Sequence, residues 1–572
     1  MTLRSPHQEP SPRPRTLAVF TEWTAERHPR EPALRFRDAG GGWAVVTYAE
    51  LRETVRRTAR GLLALGIGPG ERVAILAETR PEWTYTHFAA LAVGAVVVPV
   101  YPTAGDEETA WVLADSGARA VFCEGPDAAD RVARLRPELP ALAHVLPLTG
   151  PGGPDGSAVP VDDLLARSRA VRPEDDAELV YTSGTTGPPK GCRLTHGNLG
   201  AVQDATLHLI DGGPGDRTYL YLPLAHLFAQ LIQFSTLLNG GELCYFGGRI
   251  EDVLGELAQT QPTHLPSVPR LFEKVYAAAR SLAEAREGGA ERFDAAVELG
   301  VLAADGRLPA ERKSAYEAAD ASLFSLVRAA FGGRLRWAFT GGAPIDPAVL
   351  DFLRASRIGI FEGYGMTESA GVISLNHPGA VRYGSVGRPV PGCEVRIAAD
   401  GEVLARGPMI FPGYHANARG TAQALDAEGW LRTGDLGAVG ADGFLTITGR
   451  KKDLIITSAG KNLTPSHVEL AIERSRFVSH AVMVGDRRPY PVALITVAAE
   501  EVAGRDEEEV RALVGEAVAA ANARVSRPAR IRDFAVLARD FSVEAGELTP
   551  TLKVRRAVIL ERYGAEINTL YP

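Results

Sequence analysis

The stretch Tyr181–Gly191, YTSGTTGPPKG, decides how the rest of the chain is read. An apolar run with strand character, Ala177 to Tyr181, leads into it. The turn that follows gathers Gly184, Gly187 and Gly191, Pro188 and Pro189, the hydroxyl residues Thr182, Ser183, Thr185 and Thr186, and Lys190. Glycines let backbone N–H groups approach phosphate oxygens, hydroxyls add donors, and the lysine adds charge. An ordinary surface turn has no need of that combination. The phosphate loop of kinases and GTPases requires G-x-x-x-x-G-K-[ST]. Here Gly187 is followed by Pro188, Pro189 and only then Lys190, so the loop is a phosphate-binding candidate of another type.

Upstream of this loop, Thr47-Tyr48-Ala49-Glu50 reads as a capping box, and Leu51, Val55, Leu62 and Leu63 follow at helical spacing. The runs Arg72 to Leu76, Ala95 to Val98 and Ala118 to Phe122 alternate with helix-like stretches, the pattern of parallel strands joined by crossover helices. The expected class is therefore α/β. Leu148 to Asp162, rich in Gly and Pro, reads as an exposed loop, and Glu284 to Ala330, rich in Ala, Glu, Arg and Leu, as helices. Downstream, a hairpin is expected around Asp442-Gly443, and a second unit should start near Gly449-Arg450-Lys451-Lys452. Within it Thr464 is the expected N-cap, Pro465 the first helical residue, and Val468, Ala471 and Ile472 the buried stripe.

At 572 residues the chain exceeds the ~250 to 300 at which one hydrophobic core stops growing. The expected division is a lead of residues 1–15, a large N-terminal domain of residues 16–450 with mixed and parallel sheets flanked by helices, and a small α+β C-terminal domain of residues 451–572. The lead, MTLRSPHQEPSPRPR, is polar and Pro-rich, lacks the apolar core of a secretion signal, and reads as disordered. With 62 Lys and Arg against 70 Asp and Glu, the net charge of -8 gives no general attraction to a phosphate backbone, and no nucleic-acid partner is expected. The four cysteines, Cys123, Cys192, Cys244 and Cys393, are far apart and show no zinc spacing, which fits a reducing cytoplasm.

Further motifs follow in a fixed order: GGAP at Gly341–Pro344, EGYGMTES at Glu362–Ser369, TGDLG at Thr433–Gly437, GRKKDLI at Gly449–Ile455 and LTPTLKVRR at Leu548–Arg556. Together with the opening loop they resemble the adenylate-forming enzymes, a family that includes acyl-CoA synthetases, luciferases and peptide-synthetase adenylation domains. The resemblance runs over nearly the whole chain. It implies that ATP and a carboxylic acid form an acyl-adenylate, and that a small domain then turns on a hinge, here Lys452, for acyl transfer.

The same resemblance implies residue roles. Thr182, Ser183, Gly184, Thr185, Thr186, Gly187 and Lys190 would hold phosphates. Gly341, Gly342 and Ala343, with Glu362, Gly363 and Tyr364, would hold the adenine, with the tyrosine ring as its stacking face, and Gly365 and Met366 would belong to the same nucleotide site. Thr367 would point at the α-phosphate. Glu368, with Thr182 as hydroxyl partner, would hold Mg²⁺. Asp435 would accept from the ribose hydroxyls, Arg450 would sit beside ribose and phosphates, Lys553 would be the catalytic lysine, His226 would face the acyl pocket, and Gly460 would line the thiol entry. Taken alone, Asp435 is an ordinary turn former, Glu368 and Lys553 are solvated surface charges, and His226, set between leucines, is a core histidine.

Ile456 departs from the pattern, since many relatives carry lysine there, and no nucleotide contact is expected of it. YLPLAH, SVPRLFEKVY and the GELTPTLKVRR tail look most like bacterial long-chain fatty acyl-CoA synthetases. The implied substrates are a fatty acid, ATP and coenzyme A. An adenylating ligase for an aromatic or specialised acid shares the motifs, and so would a non-catalytic nucleotide-binding protein with the same fold. Localisation is expected to be cytoplasmic, with transient contact at the inner membrane face.

Overall fold

The computed structural model describes residues 2–4, 13–148, 154–182, 188–458, 461–549 and 553–572. Two large sheets dominate. The first has the strand order Gly413–Tyr414, Lys190–Thr195, Asp176–Thr182, Val96–Val100, Arg72–Leu76, Ala120–Cys123 and His144–Pro147. From Asp176–Thr182 onward its strands pair in parallel. The second has a parallel centre, Gly359–Tyr364, Trp337–Thr340, His264–Ser267, Arg217–Leu220, Glu242–Tyr245 and Pro32–Arg37, with antiparallel strands added at both edges.

The helix Pro81–Ala92 is buried on every face, as its alternation-free run of Trp, Tyr, Phe and Ala requires. It joins the two sheets. His87 Nε2 lies 3.0 Å from Glu178 Oε1 on the first sheet, while the Thr84 hydroxyl bonds the Tyr245 phenol on the second and Gln233 on the helix Leu227–Leu238. Phe20 stacks on Phe88 at 4.9 Å and extends this core, where each fully buried large side chain contributes about 1.5–3 kcal/mol.

The capping box at Thr47 and Glu50 is formed in both directions and starts the helix Tyr48–Ala64, with Leu51, Val55 and Leu62 buried and Leu63 half-buried. The strands expected at 95–98 and 118–122 occur as Val96–Val100 and Ala120–Cys123. Helices fill most of 284–330, including a π-type turn at Asp320–Phe324.

Two expectations need correction. The lead is not wholly without structure, because Thr2–Arg4 forms a strand antiparallel to Glu394–Ile397, and Arg13 donates to Asp204 Oδ2 at 2.6 Å. Nor is the Pro/Gly segment simply an exposed loop. Pro154 and Gly156 press against Arg60 and Gly61, where any Cβ would strike backbone, and Val161 already begins the helix Val161–Ala170.

A five-stranded antiparallel sheet, Thr2–Arg4, Glu394–Ile397, Glu402–Arg406, Leu431–Val439 and Leu445–Arg450, ends in the expected hairpin, with Gly443 at φ +84°. Beyond it the strands Val478–Val484, Val492–Val497 and Phe534–Val536 pack against the helices Pro465–Glu473 and Glu507–Asn522 through Val468, Ile472, Val514 and Ile495. Thr464 does occupy the N-cap position before Pro465, but its hydroxyl makes no capping bond, because its methyl is turned against Gly449.

Glu547 fixes the base of the segment that carries Lys553. Its fully buried carboxylate accepts from Arg539 Nη1 and Nη2 and from Arg562 Nη1, all at 2.7 Å, and from the Tyr563 hydroxyl at 3.0 Å. Burial pushes this carboxyl up, but the hydrogen bonds outweigh burial and hold it down at about 2. A depressed carboxyl contributes stability that is fully present above the unfolded value of ~4.3 and is lost as pH falls through the folded one. Glu547→Gln should therefore lower the stability of this unit at pH 7 by about 1–3 kcal/mol in denaturant unfolding. The gap between variant and wild type should close between pH ~4.3 and about 2.

Candidate active site

A single cavity of about 2460 Å³ opens where the strands Asp176–Thr182, Trp337–Thr340 and Gly359–Tyr364 end, and the C-terminal unit closes over it. Ligands of open parallel sheets bind at such carboxyl ends. Its wall includes Thr182, Lys190, His226, Gly341, Gly342, Ala343, Gly363, Tyr364, Gly365, Met366, Thr367, Glu368, Arg450, Lys452 and Lys553. Ser183, Gly184, Thr185, Thr186, Gly187 and Gly460 lie outside the described residues.

Local backbone explains the glycines of two motifs. Gly342 sits at φ +81°, open to glycine, and a Cβ there would stand 4.0 Å from Lys553 Nζ. At Gly365 a Cβ would drive into the Gly371 backbone. The chain then makes the 3₁₀ turn Thr367–Ser369, which presents Thr367 and Glu368 to the cavity.

Tyr364, Asp435, Arg450, Lys452 and Lys553 form the charged pole of the site. Hairpin register puts Asp435 opposite Arg450, and Arg450 Nε lies 2.9 Å from Asp435 Oδ1. The Tyr364 hydroxyl donates to Asp435 Oδ2 at 2.7 Å, which fixes the plane of its ring and, with burial as the larger cause, holds the phenol neutral. Asp435 itself is buried behind the cavity wall. Both its oxygens already have partners, although a carboxylate has about four acceptor sites. The Lys553 ammonium is pushed down from the usual lysine range by burial and by the charges of Arg450 and Lys452, against the opposing pull of Asp435. Burial and Arg450 push Lys452 down in the same way. Asp453, also on the wall, opposes the shift of Lys452 as Asp435 does, so three cations meet two carboxylates, a field that still favours an anion.

Across the cavity Glu368 is buried, and its Oε1 accepts the Tyr414 hydroxyl at 2.7 Å. The Lys190 ammonium stands 5.3 Å from the centre of the Tyr414 ring. The Thr182 hydroxyl lies 4.0 Å from Cys192 Sγ, and that thiol is pushed up by burial and by the Glu368 charge. Tyr414 and Cys192 escaped the sequence reading, because the pairing of Gly413–Tyr414 with Lys190–Thr195 joins segments more than 200 residues apart and neither carries a motif. Among the described residues no group of three or more His, Cys, Asp or Glu side chains could hold a metal. The donor set of one carboxylate and one hydroxyl is hard and oxygen-only, which fits Mg²⁺ completed by substrate phosphates.

His226 caps the helix Leu227–Leu238, and its Nδ1 accepts from the Phe228 N–H at 3.2 Å. As a neutral ring it therefore carries its proton on Nε2. Burial, then the charge of Lys553, pushes it down to about 4. The Glu362 carboxylate accepts from the Gly384 N–H at 3.1 Å, and burial raises it to about 7. Ile456 is half exposed and outside the cavity wall.

Residues 21–415 match the model of the AMP-binding enzyme family and residues 452–572 that of the AMP-binding enzyme C-terminal domain. The chain is 40% identical to the long-chain-fatty-acid–CoA ligase FadD15 of Mycobacterium bovis, across 96% of this chain and 95% of that protein. It is 31% identical to the peroxisomal long chain acyl-CoA synthetase 7 of Arabidopsis thaliana, across 93% and 82%. Among solved structures, the adenylation and carrier didomain of a carboxylic acid reductase from Segniliparus rugosus, in complex with AMP, superposes with a TM-score of 0.78 at 21% identity, covering 97% of this chain and 82% of that one. With both its large and its small part matched, this chain belongs to the AMP-binding enzyme family.

Proposed function

We propose that the protein is a long-chain-fatty-acid–CoA ligase, which converts ATP and a fatty acid to acyl-adenylate and pyrophosphate and then passes the acyl group to coenzyme A, releasing AMP. The observation that carries this reading is the mixed lining of the cavity. The cations Arg450, Lys452 and Lys553 and the apolar side chains Val202, Ile210, Leu231, Ile232 and Phe246 line one and the same cavity. Such a lining suits a polyphosphate joined to an aliphatic acid. Its relatives named as long-chain-fatty-acid–CoA ligases support the same substrate class. Each methylene buried against the apolar side chains adds ~0.8 kcal/mol, so a long chain outbinds a short one.

In the first step a carboxylate oxygen of the acid attacks the α-phosphorus, forming the acyl–phosphate bond while the bond to pyrophosphate breaks. Two anions must meet, so the barrier falls through positioning and fixed positive charge. Lys553 takes that role, and at 4 Å and an effective dielectric near 20 its charge is worth ~4 kcal/mol. Asp435 and Arg450 hold ribose and phosphate, Tyr364 offers its ring to the adenine, Thr367 bonds the α-phosphate, and the loop 183–187 with Lys190 clasps the departing phosphates. Glu368 and Thr182 would hold Mg²⁺, which when bound neutralises phosphate charge. Neutral His226 donates a hydrogen bond from its Nε2–H to the bound carboxylate and keeps its proton.

In the second step the thiol sulfur attacks the acyl carbonyl and AMP leaves. Residues 16–450 act as one unit and residues 451–572 as another, with Lys452 at the hinge between them.

Palmitate or oleate, supplied with ATP, Mg²⁺ and coenzyme A, should give pyrophosphate and acyl-CoA in equal amounts; turnover of aryl or short acids alone would overturn the substrate class. Lys553→Ala should slow pyrophosphate release by roughly a thousandfold, as ~4 kcal/mol requires, and spare acyl transfer from supplied acyl-adenylate. His226 gains a proton only as pH falls toward about 4. His226→Ala should accordingly reduce adenylation by the same factor at pH 6 and pH 8, and a deficit that changes across that range would show that His226 titrates in turnover.

A further inference from the structure

Lys553 reaches the cavity from the C-terminal unit, so its position depends on how that unit is seated. A continuous series of contacts fixes the seat. Arg474 closes the helix Pro465–Glu473 and lays its guanidinium on Asp346, with Nη2 donating to Oδ1 at 2.8 Å and Nε paired with Oδ2. Asp346 is buried and follows the Gly341–Pro344 turn by two residues, and its Oδ1 also accepts from Ala348 N–H at 2.8 Å as the N-cap of the helix Pro347–Ala355. The carboxylate is thus held rigidly on the wall that contains Gly342, the residue facing Lys553 Nζ.

On the other side, the helix ending at Arg474 also carries Glu469. Arg556, three residues beyond Lys553, donates to Glu469 Oε1 at 2.5 Å and to the Met483 carbonyl at 2.7 Å. Glu469 Oε1 also accepts from Met483 N–H at 2.6 Å. Asp346, Arg474, Glu469 and Arg556 therefore link the Gly342 turn to the Lys553 segment through charge-assisted bonds, the strongest class of hydrogen bond in proteins. A neighbouring contact with the large unit, Arg476 Nη1 to Ser281 Oγ at 3.1 Å, is exposed and neutral at its acceptor.

We infer that the Arg474–Asp346 pair is a latch that seats the C-terminal unit for acyl-adenylate formation, with both residues acting as positioning residues for Lys553. Neither side chain needs to touch the reacting atoms. The inference rests on the ligase reading above, and specifically on Lys553 serving the first step alone.

The test compares Arg474→Ala, Arg474→Lys, Asp346→Asn and the Arg474→Ala/Asp346→Asn double variant of the full chain with wild type, using the acid that wild type turns over best. Asparagine keeps the helix cap and removes the charge, so Asp346→Asn remains informative if Arg474→Ala does not fold. Arg474→Ala and Asp346→Asn should each lower kcat for pyrophosphate release by roughly tenfold with KM for ATP unchanged, the double variant should lose no more than either single one, and Arg474→Lys should recover part of the loss. Acyl transfer from supplied acyl-adenylate and coenzyme A should stay within about twofold of wild type. Equal losses in both half-reactions, an additive double variant, or wild-type pyrophosphate release would overturn the latch. Wild type failing on every long-chain acid would instead overturn the ligase reading on which it rests.

Discussion

The site depends on holding Arg450, Lys452 and Lys553 around one cavity with Asp435 and Asp453 as the carboxylates that offset them. Burial first, and the neighbouring cations second, lower the proton affinity of both lysines. The fold supplies the restraint. A hairpin register places Arg450 against Asp435, a buried carboxylate at Glu547 anchors the segment that carries Lys553, and the Tyr364 hydroxyl keeps Asp435 from turning away. An anion entering the cavity meets charges that the fold already holds in place.

The opposite wall follows a different logic. There one carboxylate, Glu368, is kept in place by the Tyr414 phenol, beside the Cys192 thiol and with the Lys190 ammonium over the Tyr414 ring. The wall of the cavity thus carries separate cationic and anionic groups. Substrate phosphates lying between them would be oriented as well as bound, which a uniformly basic pocket could not do.

Local features were legible in the residues themselves. The capping box at Thr47 and Glu50, the Asp442-Gly443 turn, the strand before Thr182 and the sequential motifs each depend on neighbours within a few positions, and they appear where spacing put them. Long-range pairings were not legible. Nothing near Tyr414 announces its bond to Glu368, and nothing near Arg474 announces Asp346, 128 residues away. The bond of the Glu362 carboxylate to the Gly384 N–H, 22 residues on, was likewise beyond the reach of its motif. At Thr464 the position was legible and the bond was not, since the methyl's place beside Gly449 depends on the other end of a hairpin.

The contact of Pro154 and Gly156 with Gly61 bears on how the large unit can be altered. Gly/Pro-rich connections are the usual choice for inserted domains, tags or new chain ends, because most of them carry little load. This one works as a keel: the Pro154 carbonyl and the Gly156 α-carbon occupy the groove left by a missing side chain on the helix Tyr48–Ala64, and Arg60 donates to the Ser157 carbonyl at 2.9 Å. Cutting or lengthening the chain at 154–157 would unseat a helix of the core rather than extend a spacer, so permuted or tagged forms of the protein are better opened at an uncrowded turn such as Gly213–Gly215.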